Sequence, residues 1–94
     1  MKNQKIAFTS FPTNTNWAEG KTDTCKFYAK LFDEPSEYGI KEGRVSKLTI
    51  KMNDGTEIVN YDRGWDIRPK TAESKKIFKE VFTFLENAPK RFED

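Results

Sequence analysis

Ninety-four residues, with seventeen Lys and Arg against fifteen Asp and Glu, no histidine and one cysteine, leave room for one core, since domains run to roughly 100–150 residues. The mix is polar, yet eight Phe, three Tyr and two Trp supply the bulky apolar surface that disordered segments lack. This composition excludes an internal disulfide, the His-based triads and most zinc sites, and its net charge of only +2 argues against the concentrated basic stripe of a nucleic-acid binder.

Cys25 as the only cysteine points to a reducing compartment, and no segment has the length of a signal-peptide core or of a membrane span, roughly 18 apolar residues. Cytoplasmic is therefore the default location. Residues 1–16 read as an N-terminal arm or edge strand: Ile6 and Phe8 alternate with smaller residues over 5–11, and Pro12 with the Thr13-Asn14-Thr15-Asn16 run ends the pattern.

Residues 17–69 read as an antiparallel sheet. Gly20-Lys21 would turn a short strand at 17–19 into a longer one, where Cys25, Phe27, Ala29 and Leu31 alternate with Lys26, Tyr28 and Lys30. In that register Cys25 is a buried small hydrophobe rather than a nucleophile. Residues 33–43 carry one Pro, two Gly and four acids without a usable period, which predicts a surface loop longer than most hairpin connections, and loops of that length tend to be functional. The next strand, 44–52, sets Ser46, Leu48, Ile50 and Met52 on one face.

Asp54-Gly55 predicts a two-residue type I′ turn, because both central positions need positive φ. That turn places Met52 opposite Glu57, Ile50 opposite Val59, Leu48 opposite Tyr61 and Lys47 opposite Asp62; a three-residue loop would instead bring Asn60 opposite Leu48. After a bend at Asp62-Arg63-Gly64, residues 65–67 form a short edge strand that Pro69 stops. Thr71 is the expected N-cap of a helix over 71–88, with Ile77, Phe78, Val81, Phe82 and Leu85 toward the sheet and Lys75, Lys76, Lys79, Glu80 and Glu86 outward. Residues 90–94 read as a frayed tail. The fold class is α+β: a four-stranded, mainly antiparallel sheet, with a fifth N-terminal strand as the alternative, packed against one C-terminal helix.

The runs Ser36-Glu37-Tyr38-Gly39-Ile40, Gly43-Arg44-Val45-Ser46-Lys47-Leu48 and Tyr61-Asp62-Arg63-Gly64-Trp65-Asp66 resemble a family of short, functionally uncharacterised proteins of bacteria, their phages and their mobile elements. The resemblance spans about 17–69 and implies a genomic setting without a mechanism. Small phage proteins often inhibit or modulate a host protein, so by analogy it favours an interaction role.

Arg63 and Arg68 flank Trp65, a composition suited to a protein hot spot or to base stacking, and equally to a structural tryptophan with an arginine over its ring. Asp62 and Asp66 could together hold a cation or serve as acid and base, but their spacing matches no calcium loop and Asp62 faces Lys47. No metal and no cofactor is expected. Glu37, Tyr38 and Ile40 would present the long loop to a partner. These residues point to a small non-enzymatic domain, monomer or homodimer, that binds another protein through Glu37, Tyr38, Arg63, Trp65, Asp66 and Arg68. In a phage it would act as an inhibitor or modulator of a host defence protein. The alternative is a nucleic-acid-binding accessory protein using Arg63, Arg68 and the helix lysines Lys75, Lys76 and Lys79, with Lys90 and Arg91. A carboxylate-dependent enzyme built on Glu37, Asp62 and Asp66 ranks third.

Overall fold

In the computed structural model, which describes residues 5–91, six strands and one helix follow in chain order. They are β1 (Ala7–Ser10), β2 (Trp17–Lys21), β3 (Cys25–Leu31), β4 (Val45–Met52), β5 (Glu57–Asp62), β6 (Trp65–Ile67) and α1 (Ala72–Glu86), with a 3-10 turn at Ile40–Glu42 between β3 and β4. The first four residues of the expected arm and the last three of the expected tail lie outside the described residues.

The strands join in sequence order, each antiparallel to the next. Side-chain alternation then gives the sheet two faces. On one, Phe27, Ala29, Leu48, Ile50 and Val59 are buried together with Ile77, Val81 and Leu85 of α1. The helix starts where its sequence allows: Thr71 Oγ1 accepts the Ser74 N–H at 3.0 Å, and Ser74 Oγ accepts the Thr71 N–H at 2.9 Å. That reciprocal pair satisfies two of the donors a helix start leaves open. No helix among the described residues is long and apolar enough to cross a membrane.

The sheet has six strands where periodicity predicts four or five. Of the two readings of the N-terminal residues, arm or edge strand, the strand is the one formed, four residues long and held by one local ring contact and one distant in sequence. Phe8 lies opposite Gly20, stacks on Phe11 at 4.2 Å and meets Phe84 of α1 at 4.8 Å. Gly20 is not a turn residue either. It is buried within β2, where a Cβ would run into the Phe27 ring and stand 2.6 Å from the carbonyl oxygen of Ala7. The turn falls at 22–24, where Thr22 Oγ1 accepts the N–H groups of Thr24 (3.2 Å) and Cys25 (3.0 Å).

Between β4 and β5 the two-residue turn is replaced by three residues, 53–55. Gly55 N–H donates to Met52 O at 2.8 Å, Met52 N–H donates to Thr56 O at 2.7 Å, and in this turn only Gly55 has positive φ, 94°. The expected Met52–Glu57 pair is therefore absent. The register deeper in the hairpin holds, with Ile50 opposite Val59, Leu48 opposite Tyr61 and Lys47 opposite Asp62, because Lys51 pairs with Glu57 and leaves Ile58 as the extra residue of a bulge. One added turn residue and one bulged residue cancel.

Residues 33–43 form a closed loop rather than an open one. Phe32 N–H bonds Arg44 O and Ser36 N–H bonds Gly43 O, both at 3.0 Å. Ile40, expected to face a partner, is buried in the core because the loop doubles back and turns its one aliphatic side chain onto the sheet end.

Candidate functional site

The loop and the bend after β5 meet at one end of the sheet. Tyr61 OH donates to the carbonyl oxygen of Tyr38 at 2.9 Å, so a core tyrosine pins the loop. The Tyr38 ring stays 49% exposed and receives the Arg63 guanidinium 4.6 Å from its centroid. Arg63 itself sits at φ 61°, a left-handed conformation that costs a non-glycine residue on the order of 1 kcal/mol. Its N–H donates to Ser46 O at 3.2 Å, and Asp62 N–H donates to Gly64 O at 2.9 Å. Asp62 pairs with Lys47 at 3.5 Å, the cross-strand partner that the hairpin register predicts.

Trp65 and Arg68 belong to a different neighbourhood. The Trp65 ring meets Tyr61 edge-on at 5.2 Å and Phe78 of α1 at 5.4 Å, which ties β6 to the helix. The Arg68 guanidinium lies 5.3 Å over the same indole. Glu37 and Asp66 are exposed. Of the six residues expected to make one surface, Tyr38 and Arg63 come together and Trp65 and Arg68 form a separate pair on the helix side. No group of His, Cys, Asp and Glu suited to a metal ion occurs among the described residues, and Cys25 is buried with its sulfur 3.3 Å from that of Met52.

The sheet face turned away from α1 carries residues that sequence reasoning passed over as the wet half of amphipathic strands. Register places them in cross-strand rows. Trp17, Lys30, Lys47 and Asp62 form one; Glu19, Tyr28, Thr49 and Asn60 the next; Lys21, Lys26, Lys51 and Glu57 the third. In both outer rows lysine stands directly opposite lysine, a pairing that destabilises a sheet. These strands are central, so edge protection does not explain the lysines.

The three rows hold five lysines against Glu19, Glu57 and Asp62, with Arg63 at their end. Its aromatic part is Trp17 stacked on Tyr28 at 4.9 Å, with the Lys30 and Lys47 ammonium groups each 5.7 Å from the indole. Tyr28 is 40% exposed. A hollow of about 500 Å³ bounded by Trp17, Lys30, Lys47, Tyr38 and Arg63 lies on one side of it. A second of about 470 Å³ bounded by Lys26, Tyr28, Lys51 and Asn53 lies on the other.

The cations of the alternative set are dispersed. Lys76 pairs with Glu80 at 3.9 Å on α1, and Lys90 with Glu34 at 2.8 Å. Arg91 donates to the carbonyl oxygens of Pro12 (3.0 Å), Trp17 (2.7 Å) and Leu31 (2.8 Å), a structural clasp in which burial draws its pKa down against the pull of Asp33.

Fold and site together define a small α+β domain with a six-stranded antiparallel sheet, one face on a helix and the other lined with lysine rows around two aromatic rings. The chain belongs to a domain family of unknown function, DUF7678, whose model matches residues 16–86. That span includes β2 to α1 and all of the lysine face, and leaves β1 outside. No curated protein and no solved structure matches the chain.

Proposed function

We propose that this chain is a non-enzymatic binding domain whose working surface is the lysine-lined sheet face, and that its partner is a polyanion. The single observation carrying this reading is the cross-strand Lys21-Lys26-Lys51 row. A merely solvated face would be served as well by alternating signs, whereas like charges set opposite one another lower stability and gain only when an anion lies across them.

The same geometry weighs against a conventional protein partner. Such interfaces are depleted in lysine and centre on apolar or aromatic anchors, and among the described residues the exposed large hydrophobic ones are Tyr28 and Tyr38. Of the surface expected from sequence, Tyr38 and Arg63 join the lysine face as its rim, and Trp65 and Arg68 are assigned to packing. A cytoplasmic, phage or mobile-element setting is part of this reading through the lone cysteine and the family resemblance, and it adds no weight to the choice of partner.

Retention on a heparin column is the test. The wild type should elute only with added salt. Lys26→Glu with Lys51→Glu should elute much earlier, and Lys75→Glu with Lys79→Glu, the same charge change on the exposed face of α1, should leave elution nearly unchanged. Loss of retention in the helix variant and not in the sheet variant would overturn the assignment.

A further inference from the structure

Resting on that reading, we infer that the polyanion is a single-stranded nucleic acid laid along β3 and β4, with a base stacked on Tyr28 and phosphates held by the lysines before and after it. The pattern repeats on both strands. On β3, Lys26 and Lys30 bracket Tyr28; on β4, Lys47 and Lys51 bracket Thr49, the residue opposite Tyr28. Four residues of strand span about 13 Å at a rise of about 3.3 Å per residue, so two pairs of cations stand that far apart with an exposed ring midway. A ligand that fits must alternate anion, planar ring and anion.

That alternation separates the kinds of polyanion. An acidic peptide or polyphosphate would use the lysines and leave the ring idle. A duplex keeps its rings stacked inside and offers only phosphates to a flat surface. A single strand exposes both, and its bases stack on aromatic side chains without regard to sequence because every base has a π-face. Trp17 extends the platform behind Tyr28 at 4.9 Å. The open hollows on either side, about 470 and 500 Å³, leave room for sugar and neighbouring bases. Arg63, held against Tyr38, closes one end of the track with a further cation and a second exposed ring. A merely structural Tyr28, shielding the sheet beside Trp17, would make the same contact with Trp17 but would show no preference among polyanions.

Fluorescence anisotropy with a labelled oligonucleotide of about 12 residues, within the roughly 4–16 of known single-strand sites, distinguishes these cases. The wild type should bind the single strand at least tenfold more tightly than the same sequence annealed as a duplex, and more tightly than polyglutamate measured by competition. Tyr28→Ala should weaken the single strand roughly 5- to 150-fold, the range for losing one stacked base, with little effect on the duplex, and Tyr28→Phe should restore it. Circular dichroism checks that both variants fold, and the wild-type ratio of single strand to duplex does not depend on any variant. If Tyr28→Ala binds like the wild type, or if duplex or polyglutamate binds as well as the single strand, the nucleic-acid inference falls and the polyanion reading stands. If Lys26→Glu with Lys51→Glu weakens none of the three probes, both fall.

Discussion

Glu86 closes the last turn of α1, where the helix dipole disfavours a carboxylate, yet its Oε2 accepts the backbone N–H groups of Arg44 (2.8 Å) and Val45 (3.1 Å). The reply comes from Arg44, whose guanidinium donates to the carbonyl oxygens of Glu86 (2.9 Å), Ala88 (2.7 Å) and Phe32 (2.9 Å). Helix end, loop end and strand start are thus locked by one reciprocal pair, and a Cβ on Gly43 would stand 2.6 Å from the Glu86 carboxylate and push it from that position. Glu86→Ala leaves two partly buried N–H groups without their acceptor, which should cost about 1–3 kcal/mol. Glu86→Gln keeps one acceptor oxygen and should cost less. Urea denaturation of the two variants orders them; equal midpoints for Ala, Gln and wild type would mean that water replaces the carboxylate without loss. Nothing in the sequence marks this pair, since Glu86 reads as one more outward charge on an amphipathic helix.

At the level of elements, the β4–β5 hairpin shows what sequence patterns can and cannot specify. The deep register was legible, because Leu48, Ile50, Val59 and Tyr61 must share the buried face and a one-residue slip would expose all of them. The turn was not, since a three-residue turn plus the Ile58 bulge satisfies that burial as well as a two-residue turn does. The two differ at Asp54, which needs positive φ in a type I′ turn and instead accepts the Thr56 N–H at 2.9 Å. Gly55→Ala puts a side chain at φ 94° and should cost about 1 kcal/mol, lowering Tm by about 4–8 °C in a domain of this size; a smaller fall would mean that the turn relaxes. The Thr56 N–H also holds the Asp54 carboxyl below its ordinary value. Its contribution is therefore complete above the ordinary carboxylate pKa of about 3.9 and fades as pH falls through the lowered native value. Asp54→Asn, which keeps the acceptor and cannot titrate, should flatten only the acid limb of the stability profile.

For the molecule as a whole, the lysine face was invisible in sequence for a topological reason. Lys21, Lys26 and Lys51 lie on three strands and become neighbours only when Gly20 sits opposite Phe27 and Cys25 opposite Met52; summed along the chain, their charge is lost among the acids of α1 and the loop. Once aligned, they carry an energetic signature that a neutral solvating role would not produce. Lys26 stands between Lys21 and Lys51, so Lys26→Glu converts two like-charge pairs into two opposite ones, worth about 0.2–1 kcal/mol each. The variant should melt at a higher temperature than the wild type at low ionic strength. The gain should shrink as added salt shortens the Debye length from about 10 Å at 0.1 M to about 3 Å at 1 M. Heparin retention should fall in the same variant. A surface that becomes more stable when its charge is reversed, and loses its ligand in doing so, is one whose charge is kept for binding rather than for folding. Differential scanning calorimetry across a salt series tests this. If Lys26→Glu melts lower than the wild type at every salt concentration, the lysines stabilise the sheet through their aliphatic stems, and the row ceases to argue for a ligand.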